Sequence, residues 1–286
     1  MQLVVNTAIY AAAVLLSALG FRLVYVTGRF FHFAHAITIP LGAYTTWLLM
    51  TSFGMPFVLA AGLAALVTGL LGSGLFLGTL APLLDKGAGP QVLLLASLAI
   101  FFVAQHGLAV AFGDDAHAVT GTTAQAFEFF GGRATGTQVA TVAVAVACAA
   151  AVWATEAYTR AGAQLLAVAE HAELSRVFGI DVRRVQAIAF AAGSGLGGVL
   201  GALIAADQSF APDMGFQWLL PGVVAVLLGR VWHVGYVVLA ACLVAALRTS
   251  AIWFLGGAWQ NVLIYALLFA YFAAKPTRLA AANPLG

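Results

Sequence analysis

Nine apolar stretches, at about 3–21, 36–53, 57–80, 91–112, 138–158, 185–206, 217–229, 236–254 and 258–274, follow one another with little polar sequence between them. This succession constrains the fold more than any motif, because about 20 apolar residues are what a helix needs to cross some 30 Å of hydrocarbon. Composition agrees: 63% of the 286 residues are hydrophobic and 8% charged, against about 25% charged in a soluble domain. Only helices and closed barrels can span lipid, and apolar runs of this length specify helices. The expected fold is an all-α integral membrane protein, residues 1–286 in one domain, with about eight to nine transmembrane or re-entrant helices. The seventh stretch spans only if tilted, extended or re-entrant. The first lacks the basic start of a secretory signal and reads as a retained helix.

Orientation follows from the basic residues. With the N-terminus outside and the C-terminus cytoplasmic, Arg22, Arg29, Lys86, Arg160, Arg176, Arg183, Arg184, Arg230, Lys275 and Arg278 fall inside. Only Arg133 and Arg248 fall outside, as the positive-inside rule requires. A multi-pass protein of the bacterial inner membrane, in contact with lipid, is the expectation. The formal net charge of +2, from scattered residues, gives no nucleic-acid surface. Cys148 and Cys242 sit inside apolar runs and read as small buried hydrophobes.

Two polar stretches exceed a turn. In 113–137, the aromatic-bearing run 126–130 reads as a short interfacial helix. In 159–184, the segment 164–180 places Leu166, Ala169, Leu174, Val177 and Phe178 at helical spacing, with Glu170, Glu173 and Arg176 between them and Gly179 as the stop. One amphipathic cytoplasmic helix is expected, either a plain connector or a dock for a partner. Helix connections usually take about 2–8 residues, and the greater length here favours the dock.

Residues 28–44, GRFFHFAHAITIPLGAY, combine a break with a helix interrupted by Pro40. Broken membrane helices free backbone groups for a solute, so His32, Phe33, His35, Pro40 and Tyr44 are candidate lining residues. The two histidines lack a third ligand and read as neutral donors, with no metal site. Gly193, Gly197 and Gly201 form a small-residue face for close helix packing. Gly193, Gly195 and Gly198 also match a dinucleotide fingerprint, but that motif needs a strand and a βαβ unit, which a membrane helix precludes. Asp207, Pro212, Asp213, Pro221 and Gly222 mark an irregular outer rim. There is no phosphate loop, the only lysines being Lys86 and Lys275, and no catalytic set. The reading is of a non-enzyme with no cofactor of its own. Acidic residues lie near helix ends, leaving Asn6, His106 and Asn261 in mid-stretch, a poor set for ion coupling.

HFAHA at 32–36 with LGAY at 41–44 resembles the Asn-Phe-Ala-His-Gly element and its continuation in permease subunits of branched-chain amino acid ABC importers. Residues 178–203 resemble that family's coupling region and Gly/Ala-rich helix, and KPTRL at 275–279 resembles its C-terminal ending. His32 and Ala36 depart from the family's Asn and Gly, and residues 229–233 depart from its Gly-Gly-Ile-Gly-Ser element. The resemblance implies a membrane permease for branched-chain or related small amino acids, paired with a second homologous permease. It also implies two ABC ATPase subunits carrying ATP-Mg and an extracytoplasmic substrate-binding protein. Ala169, Glu170, Glu173, Arg176 and Gly179 would then belong to the coupling helix. Another small solute (urea, an amide, an aromatic carboxylate), a stand-alone channel or carrier, and a non-transporting scaffold remain open as alternatives.

Overall fold

A computed structural model describes residues 1–119, 126–129, 131–229, 231 and 233–274. The ending at 275–279, residues 230 and 232 of the 229–233 element, and Phe130 of the run 126–130 lie outside them. In chain order the helices are α1 (Gln2–Gly28), α2 (Thr38–Phe53), α3 (Phe57–Leu75), α4 (Ala81–Asp85) and α5 (Pro90–Phe112). A hairpin of β1 (Ala126–Phe129) and β2 (Gly132–Thr135) precedes α6 (Gly136–Tyr158), α7 (Arg160–Glu170), α8 (Ala172–Val177) and α9 (Val182–Asp207). The described chain ends with α10 (Gly215–Leu228), α11 (Val234–Leu255) and α12 (Val262–Ala274).

Each of the nine apolar stretches contains a helix. Among the described residues six helices have the length and apolarity to cross a membrane: α1, α3 continued to Asp85, α5, α6, α9 and α11. A turn of π-helix over Phe76–Leu80 joins α3 to α4. With 16, 14 and 13 residues, α2, α10 and α12 are shorter.

Two local expectations are corrected. Residues 126–129 form a strand and not an interfacial helix, in register Ala126↔Thr135 to Phe129↔Gly132. Gly131, at φ 74°, supplies the left-handed residue that a tight hairpin needs. Glu128 and Arg133 face each other across the strands at 3.1 Å. The segment 164–180 is two helices and not one. His171 is extended, φ −154° and ψ 94°, and its ring Nδ1 accepts from the Leu174 N–H, so it ends α7 and caps α8.

The helices run between two ends. The hairpin end holds β1 and β2, Asp207, and the start of α1, where the Gln2 amide donates to the Arg133 carbonyl. The connector end holds α7, α8 and the close of α1. Arg183 pairs there with Asp85 at 3.1 Å, bringing the end of α4 to the start of α9. Cys242 is exposed on the apolar outer surface and Cys148 is half-buried, both free thiols.

At the centre is α9, packed against α1, α2 and α3. A Cβ on Gly193 would lie 2.5 Å from the Gly20 carbonyl oxygen, one on Gly201 2.8 Å from the Ala43 nitrogen, and one on Gly42 2.5 Å from the Gly198 Cα. These are backbone-to-backbone approaches, which lipid-solvated helices use because apolar burial gives them little drive to associate. Gly197 faces Thr38 and the His35 ring. Overpacking a tight core costs roughly 1–3 kcal/mol, so Gly42→Leu should lower the thermal unfolding temperature in detergent. Gly62→Leu, where no atom lies within 4 Å of an added Cβ, should leave it nearly unchanged.

Candidate functional site

The chain breaks after α1 at Arg29, a non-glycine residue with left-handed φ of 55°. Such a conformation persists where the surroundings over-determine it. The Arg29 guanidinium reaches α7: Nε donates to the Ala169 carbonyl at 3.1 Å, and Nη2 donates to the carbonyls of Ala169 and Glu170. A cation on the free carbonyls of a helix C-terminus satisfies groups that have no partner within the helix and matches the helix dipole. The α7 terminus is thereby tied to the first residue of the break.

From Arg29 the backbone turns back into the bundle. A short 3-10 turn over Phe33–Ile37 follows, and α2 then starts opposite the middle of α9. Non-helical backbone at membrane depth is tolerated only where protein or a water-filled cavity surrounds it. Here protein does so: the Phe33 N–H donates to Ser97 Oγ of α5 at 3.0 Å, and Thr38 Oγ1 donates to the His35 carbonyl at 2.7 Å. His32 and His35 are 3% and 1% exposed. The His32 ring lies 5.2 Å from that of Phe190, tilted by 55°, and His35 lies beside Gly20, Phe21 and Gly197. Phe33 is half-buried against Phe216, and Pro40 is buried in the first turn of α2. Tyr44 is farther toward the hairpin end, 4.8 Å from Phe112 and 5.0 Å from Phe210.

The structure therefore brings His32, Phe33, His35, Pro40, Gly193, Gly197 and Gly201 together around the break, and leaves Tyr44 in an aromatic cluster. His32 Nδ1, both His35 ring nitrogens, Ser17 Oγ and Tyr44 Oη are buried without a hydrogen-bond partner. Among the described residues no three His, Cys, Asp or Glu side chains come close enough to hold a metal ion.

The other candidates sit at the connector end. Ala169 is buried under Arg29, while Glu170, Glu173, Arg176 and Gly179 are exposed. Glu173 and Arg176 pair at 3.1 Å, and Gly179, at φ 80°, closes α8 as its N–H donates to the Arg176 carbonyl. Because the chain turns at His171, Leu174, Val177 and Phe178 do not share the buried face of Ala169. They are 51%, 81% and 76% exposed at the connector end. An open cleft of about 530 Å³ between α6, α7 and the start of α11 is lined by Glu156, Glu170 and His233. An apolar groove of about 210 Å³ lies on the other side of α7, between Leu23, Val152, Leu165 and Ile188.

Sequence reasoning missed the strongest polar contact. Arg22, fully buried in α1, holds Glu156 of α6 through two hydrogen bonds at 2.5 and 3.1 Å, and its Nε donates to the Val231 carbonyl at 2.6 Å. Two ionisable residues 134 positions apart at the ends of apolar runs look like flanking charges, and nothing local marks them as partners. Removing one member of such a pair leaves an uncompensated buried charge, a loss of about 3–5 kcal/mol. Glu156→Gln and Arg22→Met should each strongly lower the unfolding temperature. The combined Arg22→Met and Glu156→Leu variant should lose less than the sum, as a double-mutant cycle would read.

The family described as branched-chain amino acid transport system, permease component, matches residues 3–272. A protein of Methanocaldococcus jannaschii named probable branched-chain amino acid transport permease protein LivH is 24% identical over 265 residues, covering 90% of this chain and 83% of that protein. No solved structure matches the chain.

Proposed function

The chain belongs to the branched-chain amino acid transport system permease family, and from that premise we propose that it is the membrane subunit of an ATP-driven importer for branched-chain or related small amino acids. In this reading it forms half of a translocation path with a second homologous permease. Two cytoplasmic ABC ATPase subunits bind and hydrolyse ATP-Mg, and an extracytoplasmic protein delivers the solute. The connector end is cytoplasmic: Arg22, Arg29, Lys86, Arg160, Arg176, Arg183 and Arg184 lie there, against Arg133 and Arg248 in the hairpin half. The membrane would be the bacterial inner membrane.

One observation carries the proposal. Leu174, Val177 and Phe178 are exposed at the connector end, on α8 and at its close. An exposed apolar cluster flanked by Glu173 and Arg176 has the character of a protein contact. The ATPase subunits are its proposed occupant. A push on α8 passes through α7 to Arg29 and so to the buried break at residues 29–37, which is the proposed link between ATP hydrolysis and the path. His32, Phe33, His35, Pro40 and Tyr44 take part as the mobile wall of that path, and the Gly193, Gly197 and Gly201 face lets the wall slide against α9.

Affinity co-purification from native membranes followed by mass spectrometry tests the assembly. A second permease and P-loop ATPases should accompany the chain. Phe178→Asp should lose the ATPases and lower ATP-dependent uptake by about tenfold or more, as loss of a buried aromatic anchor does, with the amount in the membrane unchanged. Recovery of the chain alone, with solute flux in liposomes without ATP, would replace the importer by a stand-alone channel or carrier.

A further inference from the structure

A second cavity, of about 200 Å³, opens in the hairpin half of the bundle between α1, α6, α9, α10 and α11. It is distinct from the break and from both clefts beside α7. Its walls carry one acid and one base. Asp207 ends α9, and Arg248 lies inside α11, about two turns before its end at Leu255. An ionisable side chain within a membrane helix is expensive, so its retention points to use.

The two charges line the same cavity but form no ion pair with each other within 4 Å. Asp207 is instead oriented by the hydroxyls of Thr135 and Thr137 on Oδ1, at 3.3 and 3.2 Å, and by Gln138 on Oδ2 at 3.5 Å. A carboxylate has about four acceptor positions, so capacity remains. Arg248 gives Nη2 to Gln260 at 2.8 Å and rests its guanidinium 3.9 Å over the Tyr10 ring. Its Nε is buried with no partner. Both groups are thus held in place by neighbours and still have hydrogen-bonding capacity to spare. Leu203, Ile204 and Trp218 supply apolar wall.

We propose that this cavity is an intramolecular binding site for a free zwitterionic aliphatic amino acid, with Asp207 receiving the ammonium, Arg248 the carboxylate, and Leu203, Ile204 and Trp218 the side chain. A cation and an anion that line one cavity of about 200 Å³ without pairing to each other complement both charges of a zwitterion. A neutral solute such as urea would leave both charges unanswered. A zwitterionic lipid headgroup carries the same pair of charges, but its acyl chains would have to leave a cavity of this volume. The choice of solute class rests on the transport reading, whereas the site itself rests on the residues. In the proposed orientation the site opens on the outer side, where solute would be handed over before it reaches the buried break.

The test is equilibrium binding of radiolabelled L-leucine to the full chain in phosphatidylglycerol nanodiscs, without ATPase or binding protein. Saturable binding is expected, with 4-methylpentanoate and 3-methylbutylamine, each lacking one charge, competing about tenfold or more less well, because each leaves a charged group unanswered. That comparison uses the unaltered chain and survives any variant that fails to fold. Arg248→Gln and Asp207→Asn should each weaken leucine binding by a similar factor while retaining the unfolding transition. No leucine binding, equal competition by the one-charge analogues, or retention of phosphatidylethanolamine with no leucine binding would overturn the site. Co-purification of the ATPases is read separately, so the site can fail while the importer reading stands, and the reverse.

Discussion

A backbone that leaves the helical state inside lipid must have its polar groups satisfied by the protein itself, since no water is there to take them. The path of residues 29–37 is governed by this constraint. Ser97 and Thr38 supply specific partners, and α1, α2, α5, α9 and α10 enclose the segment. The glycines of α9 are the condition for that enclosure: with any side chain at Gly193, Gly197 or Gly201, α1 and α2 could not come close enough to seal it. The central helix and the broken segment are therefore one device. The small residues exist because the break does, and the break can exist because of them.

The charges show a similar economy. Only 8% of residues are charged, and the few that enter the bundle are held by partners. Arg22 fixes α1 to α6 and to the backbone at Val231, and Arg29 fixes the end of α1 to α7. Arg22 lies in α1 and Arg29 immediately follows its end. One binds the last turn of α6 and the other the last turn of α7, the two helices that frame the wide connector-end cleft. Displacement of α7 relative to α6 must therefore act on α1 at these two arginines, and the second of them begins the break.

The apolar periodicity was enough to place helices in all nine stretches, because a span in lipid leaves few alternatives to a helix. It was not enough to give their lengths: α2 starts only at Thr38, after the break, and ends at a left-handed Gly54, and α10 ends at Gly229. The run at 126–130 was mistaken for a helix since aromatic residues suit both states, and the deciding residue was Gly131 in the turn. At His171 the reading failed for a related reason. A histidine in a helical pattern gives no hint that its ring will cap the following helix, and that turn carries Leu174, Val177 and Phe178 out of the buried face. Arg22 with Glu156, Arg29 with the end of α7, and Asp207 and Arg248 on one cavity were invisible, since each brings together positions that only the fold makes close.

The cost retained around the break is itself informative. Ser17 Oγ, His32 Nδ1 and both ring nitrogens of His35 are buried there without partners, and each such group in an apolar setting costs on the order of 1–3 kcal/mol against an apolar replacement. Ser17 lies one turn before Gly20, the residue that His35 abuts, so these atoms occupy the region where α1, α9, α10 and the break meet. A chain under pressure only to pack would place Ala, Leu or Phe at these positions, as it does at Ala34, Ala36 and Ile37 beside them. Polar atoms kept at such a cost in the least accessible part of the bundle fit a segment whose closed packing is one of two arrangements. On the proposed transport reading, the other would turn these donors and acceptors toward the solute.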